Sequence, residues 1–485
     1  MKKFFVLMAI SLGVGFTQCA RNPVTGKKQV VFMSEAQEIA MGQEADPQII
    51  AQYGLYENKD LQDFINEKGK AMAAVSHRPQ LDYKFRIVDS EILNAFAVPG
   101  GYVYFTRGIM AHFNDEAQFA GVLGHEIGHI TARHSVVQQR NAMLGQLGII
   151  AGLVISPEFA QFAESASQGL SLLFLKFGRD DERQGDQLGV EYSTKIGYDA
   201  HHMANFFTTL ERQGTKSGAA ELPEFLSTHP NPGDRHNTVE KLATEWQNKL
   251  NLKNPATNRN AYLKRIEGLV YGEDPRQGFL ENSVFYHPEL KFQFPVPQGW
   301  NYQNTPQRVQ MAPADGKALM YLTLAKGNSL EEAARAMAQA NGLQISQLQQ
   351  TSVNGLDAVM MVADAVPQQQ QQQQQQQPLR TLSYFIQQGS NMYQILGVSA
   401  SQNFAAYQPA FLNTMRGFKT LTDAAKINRQ PERIRIKTLA SSTTFEQAMK
   451  SYNMPSSRYE ELAILNGMQL KDQIEKGTMI KVIGQ

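Results

Sequence analysis

The stretch "GVLGHEIGHITARH", Gly121 to His134, decides how the chain is read. On an α-helix, residues four apart differ by about 40° in direction, so His125 and His129 project from one face with imidazoles able to converge. Two neutral imidazoles suit zinc, and Glu126 beside the first can reach a metal-bound water as its base. The competing account is an ordinary helix carrying two polar surface residues. Against it stand the apolar, glycine-rich flanks, which mark a buried helix, where paired histidines need partners.

His134 lies nine residues past His125, about 180° around the same helix, and is read as structural. A catalytic zinc needs a third protein ligand and an open position. The metzincin arrangement would place a glycine and a histidine where Ala132 and Ser135 stand, so that ligand comes from elsewhere. In "RDDERQGD", 179–186, Glu182 and Asp186 are again four apart on a predicted helix. They offer one carboxylate for the metal and one to stand behind a ligating imidazole, unless they form an exposed acidic face.

The surroundings set the class of molecule. A length of 485 residues implies more than one domain. A net charge of +1 with 19% charged residues argues against nucleic acid as a partner. Lys2 and Lys3 precede an apolar run from Phe4 to Phe16 and then the single cysteine, Cys19. That pattern reads as an export signal over 1–18, too short for a stable span. It resembles a bacterial lipoprotein signal, in which Cys19 would be lipidated, although Gln18 departs from the small residue usual before that cysteine.

Ser34 is the expected N-cap of an early helix, Pro99-Gly100-Gly101 a turn, and Tyr102 to Thr106 a short strand able to take an extended substrate as an added strand. Asn114, Asp115 and Glu116 open the helix of the histidines, with acid where the helix dipole favours it. Ala142 to Ile155 and Gly169 to Phe177 are apolar runs read as a buried helical hairpin or a membrane-facing surface. Past a boundary near "YGEDPRQGF", strand and hairpin patterns around one helix suggest an α+β domain over 275–425. Its glutamine tract, 368–377, is read as a disordered hairpin loop. A strand, helix, helix, strand pattern closes the chain.

Four segments in fixed order, "NAFAVPGGYVYFTRGIM", "EAQFAGVLGHEIGHITARH", "RDDERQGDQLG" and "STHPNPGDR", resemble the zinc metallopeptidases of the CAAX-prenyl-protease and HtpX type, in particular their bacterial envelope lipoproteins. The resemblance spans roughly Asn22 to Leu242. It implies a mainly α-helical zincin of the gluzincin type with a small β-sheet, over 19–268. It makes His125, His129 and Glu182 the ligands of one zinc and Glu126 the general base. Asp186 becomes the residue that orients a ligand histidine and Asn94 a substrate-side asparagine. His229 falls near the metal, placed to stabilise an oxyanion or cover the site. Gly185 stands where the family usually has alanine.

"FYHPELKFQFPVPQGW" resembles the opening of a PsbP-like domain, and 430–485 resembles a divergent LysM unit of βααβ form, with Ser441 and Ser442 in place of its usual Gly-Asp. The expected protein is an exported metalloendopeptidase of a Gram-negative periplasm, lipid-anchored to the outer membrane. Its expected substrates are unfolded or misassembled envelope polypeptides, with outer-membrane assembly components and peptidoglycan as further partners. The alternatives are an assembly factor that holds clients in the same groove with little cleavage, and a cell-wall adaptor acting through its LysM-like end.

Overall fold

The computed structural model describes residues 18–31, 33–138, 177–217, 224–229, 235–365 and 378–485. The expected export signal apart from Gln18, the apolar runs apart from Phe177, and the glutamine tract lie outside them. The architecture mixes helix and sheet in two compact units: of the described residues, those up to 138, 177–217, 224–229, 235–272 and 432–485 form one, and 273–365 and 378–431 form the other.

The first unit opens with an antiparallel pair, β1 (Gln18–Arg21) and β2 (Lys28–Val31), in which Cys19 faces Val30. Helices α1 (Glu35–Tyr53) and α2 (Lys59–Ala74) follow. Ser34 caps α1 as expected: its hydroxyl accepts from the Gln37 amide while the Gln37 side chain accepts from the Ser34 amide. Strands β3 (Lys84–Val88), β4 (Ala95–Val98) and β5 (Tyr102–Thr106) make a sheet of order β3-β5-β4. Gly100 and Gly101 turn the chain between β4 and β5 with φ of +84° and +102°, values that suit glycine. The strand expected to receive substrate, β5, is the central one, hydrogen-bonded on both sides. Among the described residues β3 and β4 are the edge strands, and β3 makes one isolated bridge on its outer side, Val88 to Leu55.

Helices α3 (Arg107–His112), α4 (Glu116–Ala132), α5 (Arg179–Lys195), α6 (His201–Ser217), α7 (Glu224–Thr228), α8 (Arg235–Lys249) and α9 (Arg259–Arg265) complete this part. The histidine helix, α4, is capped by Asp115, which accepts from the Gln118 amide. All of its residues are buried, as its near-continuous apolar pattern requires. Full burial of side chains such as Phe119, Leu123 and Ile127 contributes roughly 1.5–3 kcal/mol each. Glycines then let α5 come against it backbone to backbone. A Cβ on Gly124 would lie 2.9 Å from the Gly189 carbonyl oxygen, and one on Gly189 would lie 2.9 Å from that of Gly121.

The second unit holds β6 (Phe279–Glu281), β7 (Val284–His287), β8 (Phe292–Pro295), β9 (Trp300–Asn304), β10 (Arg308–Pro313), β11 (Ala318–Leu324), α10 (Leu330–Ala340), β12 (Leu343–Val353), β13 (Leu356–Ala365), β14 (Leu379–Gln388), β15 (Asn391–Ala400), α11 (Phe404–Gly417) and β16 (Lys419–Thr420). Seven strands form one sheet of order β12-β13-β14-β15-β11-β10-β9, and four form another, β16-β8-β7-β6. The expected hairpin is β14–β15, and the glutamine tract falls between the adjacent antiparallel strands β13 and β14.

The closing segment belongs to the first unit. Strand β17 (Arg433–Thr438) pairs antiparallel with the last strand, β20 (Met479–Gly484). Between them come β18 (Thr443–Thr444), α12 (Phe445–Ser451), α13 (Tyr459–Leu465) and β19 (Gln473–Ile474). Phe445, Leu462 and Val482 share one apolar core with Phe113 and Phe206. Lys481 is buried and donates to the carbonyls of Ala111 and Phe113, at the link between α3 and the histidine helix.

Candidate metal centre

Helix geometry fixes the first pair. His125 and His129, one turn apart on α4, bring their Nε2 atoms to 2.9 Å. The close approach of α5 sets Glu182 opposite, with Oε2 3.5 Å from His125 Nε2 and Oε1 3.6 Å from His129 Nε2. His229, just past α7, closes the group, its Nδ1 3.3 Å from His125 Nε2 and 3.0 Å from Glu182 Oε1. One donor atom from each of these four residues lies within 4.8 Å of the others, and all four side chains are buried.

Glu126 points to the same place, with Oε1 3.7 Å from His229 Nε2. Both of its carboxylate oxygens, and Glu182 Oε2, are buried without a hydrogen-bond partner among the described residues. Burial alone would push the Glu182 carboxyl up, but the His229 charge and hydrogen bond outweigh it and hold it below the usual value. Glu126 is left raised by its burial. His129 is driven well below the ordinary imidazole value by burial and by the neighbouring imidazoles. Three imidazoles and a carboxylate facing one point, with orphaned carboxylate oxygens beside them, fit a borderline divalent cation such as zinc.

Behind His125, Asp186 Oδ1 lies 3.0 Å from Nδ1. Asp186 is in turn gripped by Arg235, whose Nε donates to Oδ2 at 2.8 Å and Nη2 to Oδ1 at 2.7 Å. The Arg235 guanidinium lies over the Phe207 ring at 3.7 Å. Arg235 ends the quoted "STHPNPGDR", yet sequence reasoning gave it no role, because only the fold brings α8 beneath α5. Gly185 has a role beyond helix contact: a Cβ there would lie 2.8 Å from His125 Cε1 and 2.9 Å from His125 Nδ1.

Two placements differ from expectation or extend it. The histidine helix ends at Ala132, because Arg133 turns left-handed with φ of 61°. His134 is therefore not on the far side of a continuing helix. It folds back beside His129, with the two Nδ1 atoms 2.9 Å apart. Asn94 precedes β4, its backbone bonded to Thr106 and its Oδ1 buried without a hydrogen-bond partner among the described residues. Its neighbour Leu93 accepts from the amide of Phe225, whose ring stacks on His229 with centroids 4.6 Å apart. Asn94 thus adjoins the element that carries His229.

The first unit thus carries a buried group of donors suited to a divalent cation. Residues 59–243 match the profile of Peptidase family M48, and the chain carries a domain of that family. The metallopeptidase family expected from the motifs is thereby met. Its relatives include the beta-barrel assembly-enhancing protease of Yersinia pestis, 29% identical over 55% of this chain and 54% of that protein. The protein of the same name from Escherichia coli strain K12 is 29% identical over 44% of this chain and 45% of its own. The mitochondrial metalloendopeptidase OMA1 of Arabidopsis thaliana is 32% identical over 33% of this chain and 32% of its own. The chain spans about half the length of the first of these relatives and less of the others. Among solved structures, cyanobacterial PsbP from Synechocystis aligns with 28% of this chain and 91% of its own, at 9% identity and a TM-score of 0.24.

Proposed function

We propose that the chain is a zinc-dependent endopeptidase. The observation that carries this is the buried convergence of His125, His129 and Glu182 beside Glu126, whose two carboxylate oxygens have no hydrogen-bond partner among the described residues. In this reading those three residues hold one zinc ion, which would supply a Lewis acid for a scissile carbonyl. Glu126 takes the proton of the attacking water and passes it to the leaving nitrogen. Asp186 accepts from His125 Nδ1 and so leaves its Nε2 lone pair facing the site. With His229 among the donors, the group is closed by protein atoms, and substrate enters when His229 withdraws. His229 then lies close enough to serve a developing oxyanion. An extended substrate pairs along the β4 edge, beside Asn94, which favours unfolded polypeptides.

The substrate class we propose is misassembled cell-envelope protein. The names of the assembly-enhancing relatives support it, as does the export signal read at the start of the chain. Lipidation of Cys19 would anchor the protein to the outer membrane from the periplasmic side. No described helix is long and apolar enough to cross a membrane. Outer-membrane assembly components are proposed partners, and peptidoglycan is a further one through the LysM-like segment. The second unit, PsbP-like in its sequence, is proposed as a partner-binding module. The test is zinc content together with cleavage of an unfolded protein, comparing wild type with Glu126→Gln. Both should bind about one zinc and only the wild type should cut. Absence of zinc from both would overturn the reading.

A further inference from the structure

We infer that His134 is a positioning residue for the metal: it accepts the ring proton of His129 and thereby fixes which nitrogen of His129 faces the site. The inference rests on the metallopeptidase reading above and adds a residue that the sequence had set aside as structural.

The placement of ring protons fixes the direction of this contact. His129 Nε2 lies in the donor group, so as a ligand it bears a lone pair and the ring's proton sits on Nδ1. The only ring nitrogen hydrogen-bonded to that Nδ1 among the described residues is Nδ1 of His134, at 2.9 Å. His134 Nδ1 must then be the acceptor, and its own proton lies on Nε2. That nitrogen is 2.9 Å from Gln184 Oε1, an acceptor that suits the same assignment. The chain of donors runs in one direction, from His129 through His134 to Gln184, with no conflict along it. The Phe177 ring, with its centroid 4.1 Å from that of His129, limits rotation of the same imidazole.

The backbone is built to deliver this contact. His134 reaches His129 only because Arg133 adopts a left-handed conformation that non-glycine residues seldom take. That turn is held from outside, with Arg133 Nε donating to Glu38 Oε2 at 3.0 Å and Nη2 to the Met33 carbonyl at 3.2 Å. The two ligand histidines are thus supported unequally. His125 leans on a carboxylate, Asp186, and His129 on a neutral imidazole, which makes His129 the less electron-rich of the two.

The experiment is a zinc titration of the metal-free full chain against a competing chelator, for wild type, His134→Leu and His134→Asn. Asn Oδ1 and His Nδ1 are both attached to Cγ, so asparagine keeps an acceptor near the same place, whereas leucine keeps only bulk. His134→Leu is expected to weaken zinc binding about 10–100-fold and His134→Asn to recover most of that loss. Equal affinity in all three would overturn the inference, as would equal weakening in both variants, which would mean packing alone. Should the leucine variant not fold, Gln184→Leu takes its place, with several-fold weaker binding expected and unchanged binding overturning the inference. If the wild type itself takes up no zinc, the metallopeptidase reading fails and this inference with it.

Discussion

Arg235 and Asp186 form a pair whose energetic coupling can be measured. Both are buried, at 3% and 2% exposure, and two hydrogen bonds of 2.7 and 2.8 Å join them. Replacing Arg235 with methionine keeps much of the packing on Phe207 but leaves the Asp186 carboxylate with His125 alone. Breaking a buried pair from one side typically costs about 3–5 kcal/mol, because the remaining charge has lost its compensation. Asp186→Asn is the milder change, since Arg235 Nη2 still lies 3.5 Å from Glu182 Oε2. The double variant removes both charges and should cost less than the two singles summed, with a coupling of roughly 2 kcal/mol or more. The chain has two tryptophans, Trp246 on α8 and Trp300 in the second unit. A Trp300→Phe background therefore lets Trp246 fluorescence report urea unfolding of the site-bearing unit, with chelator present to exclude metal. Single-variant costs that add within about 0.5 kcal/mol would refute the pairing as the element that secures Asp186.

Three further outcomes follow from particular contacts. Zinc at 100 times its dissociation constant should stabilise the first unit by about 2.7 kcal/mol, and equally in Glu126→Gln, read as the shift in urea midpoint on adding metal; no shift would argue against a native-state site. His202 Nδ1 lies 2.6 Å from Asp115 Oδ2, and that hydrogen bond holds its pKa above the ordinary 6.5. Its stabilising contribution is complete below the unfolded-state value and fades as pH rises through the folded one, so the penalty of His202→Gln should shrink from pH 5.5 to pH 9 in urea midpoints. A penalty independent of pH would refute that linkage. Finally, a chain ending at Pro431 loses Phe445, Leu462 and Val482 from the shared core and leaves the carbonyls of Ala111 and Phe113 without Lys481. It should become protease-sensitive around α4 and lose zinc, whereas a stable, zinc-binding truncation would show that the closing segment is dispensable.

Much of the site was legible because its first elements are local. The four-residue spacing of His125 and His129, and of Glu182 and Asp186, is a property of one helix turn, and Ser34 and Asp115 announce their helices through caps that need no distant partner. The glycines of α4 and α5 were visible too, but not what they were for.

Tertiary structure decided the rest, since each remaining feature depends on segments far apart in the chain. Backbone contact at Gly124 and Gly189 selects Glu182 to face the histidines and Asp186 to stand behind one of them. Arg235 acquires its role only when α8 packs under that pair. One left-handed residue, Arg133, reverses the direction expected for His134, and helical periodicity cannot foresee where a helix stops under the pull of a distant Glu38. Strand alternation identified Tyr102–Thr106 but could not say that both of its edges are taken, because pairing is a property of the sheet and not of the strand. The closing βααβ segment showed its elements in sequence, while its place in the first unit's core rests on apolar surface supplied by distant residues, among them Phe113 and Phe206, more than 200 positions away.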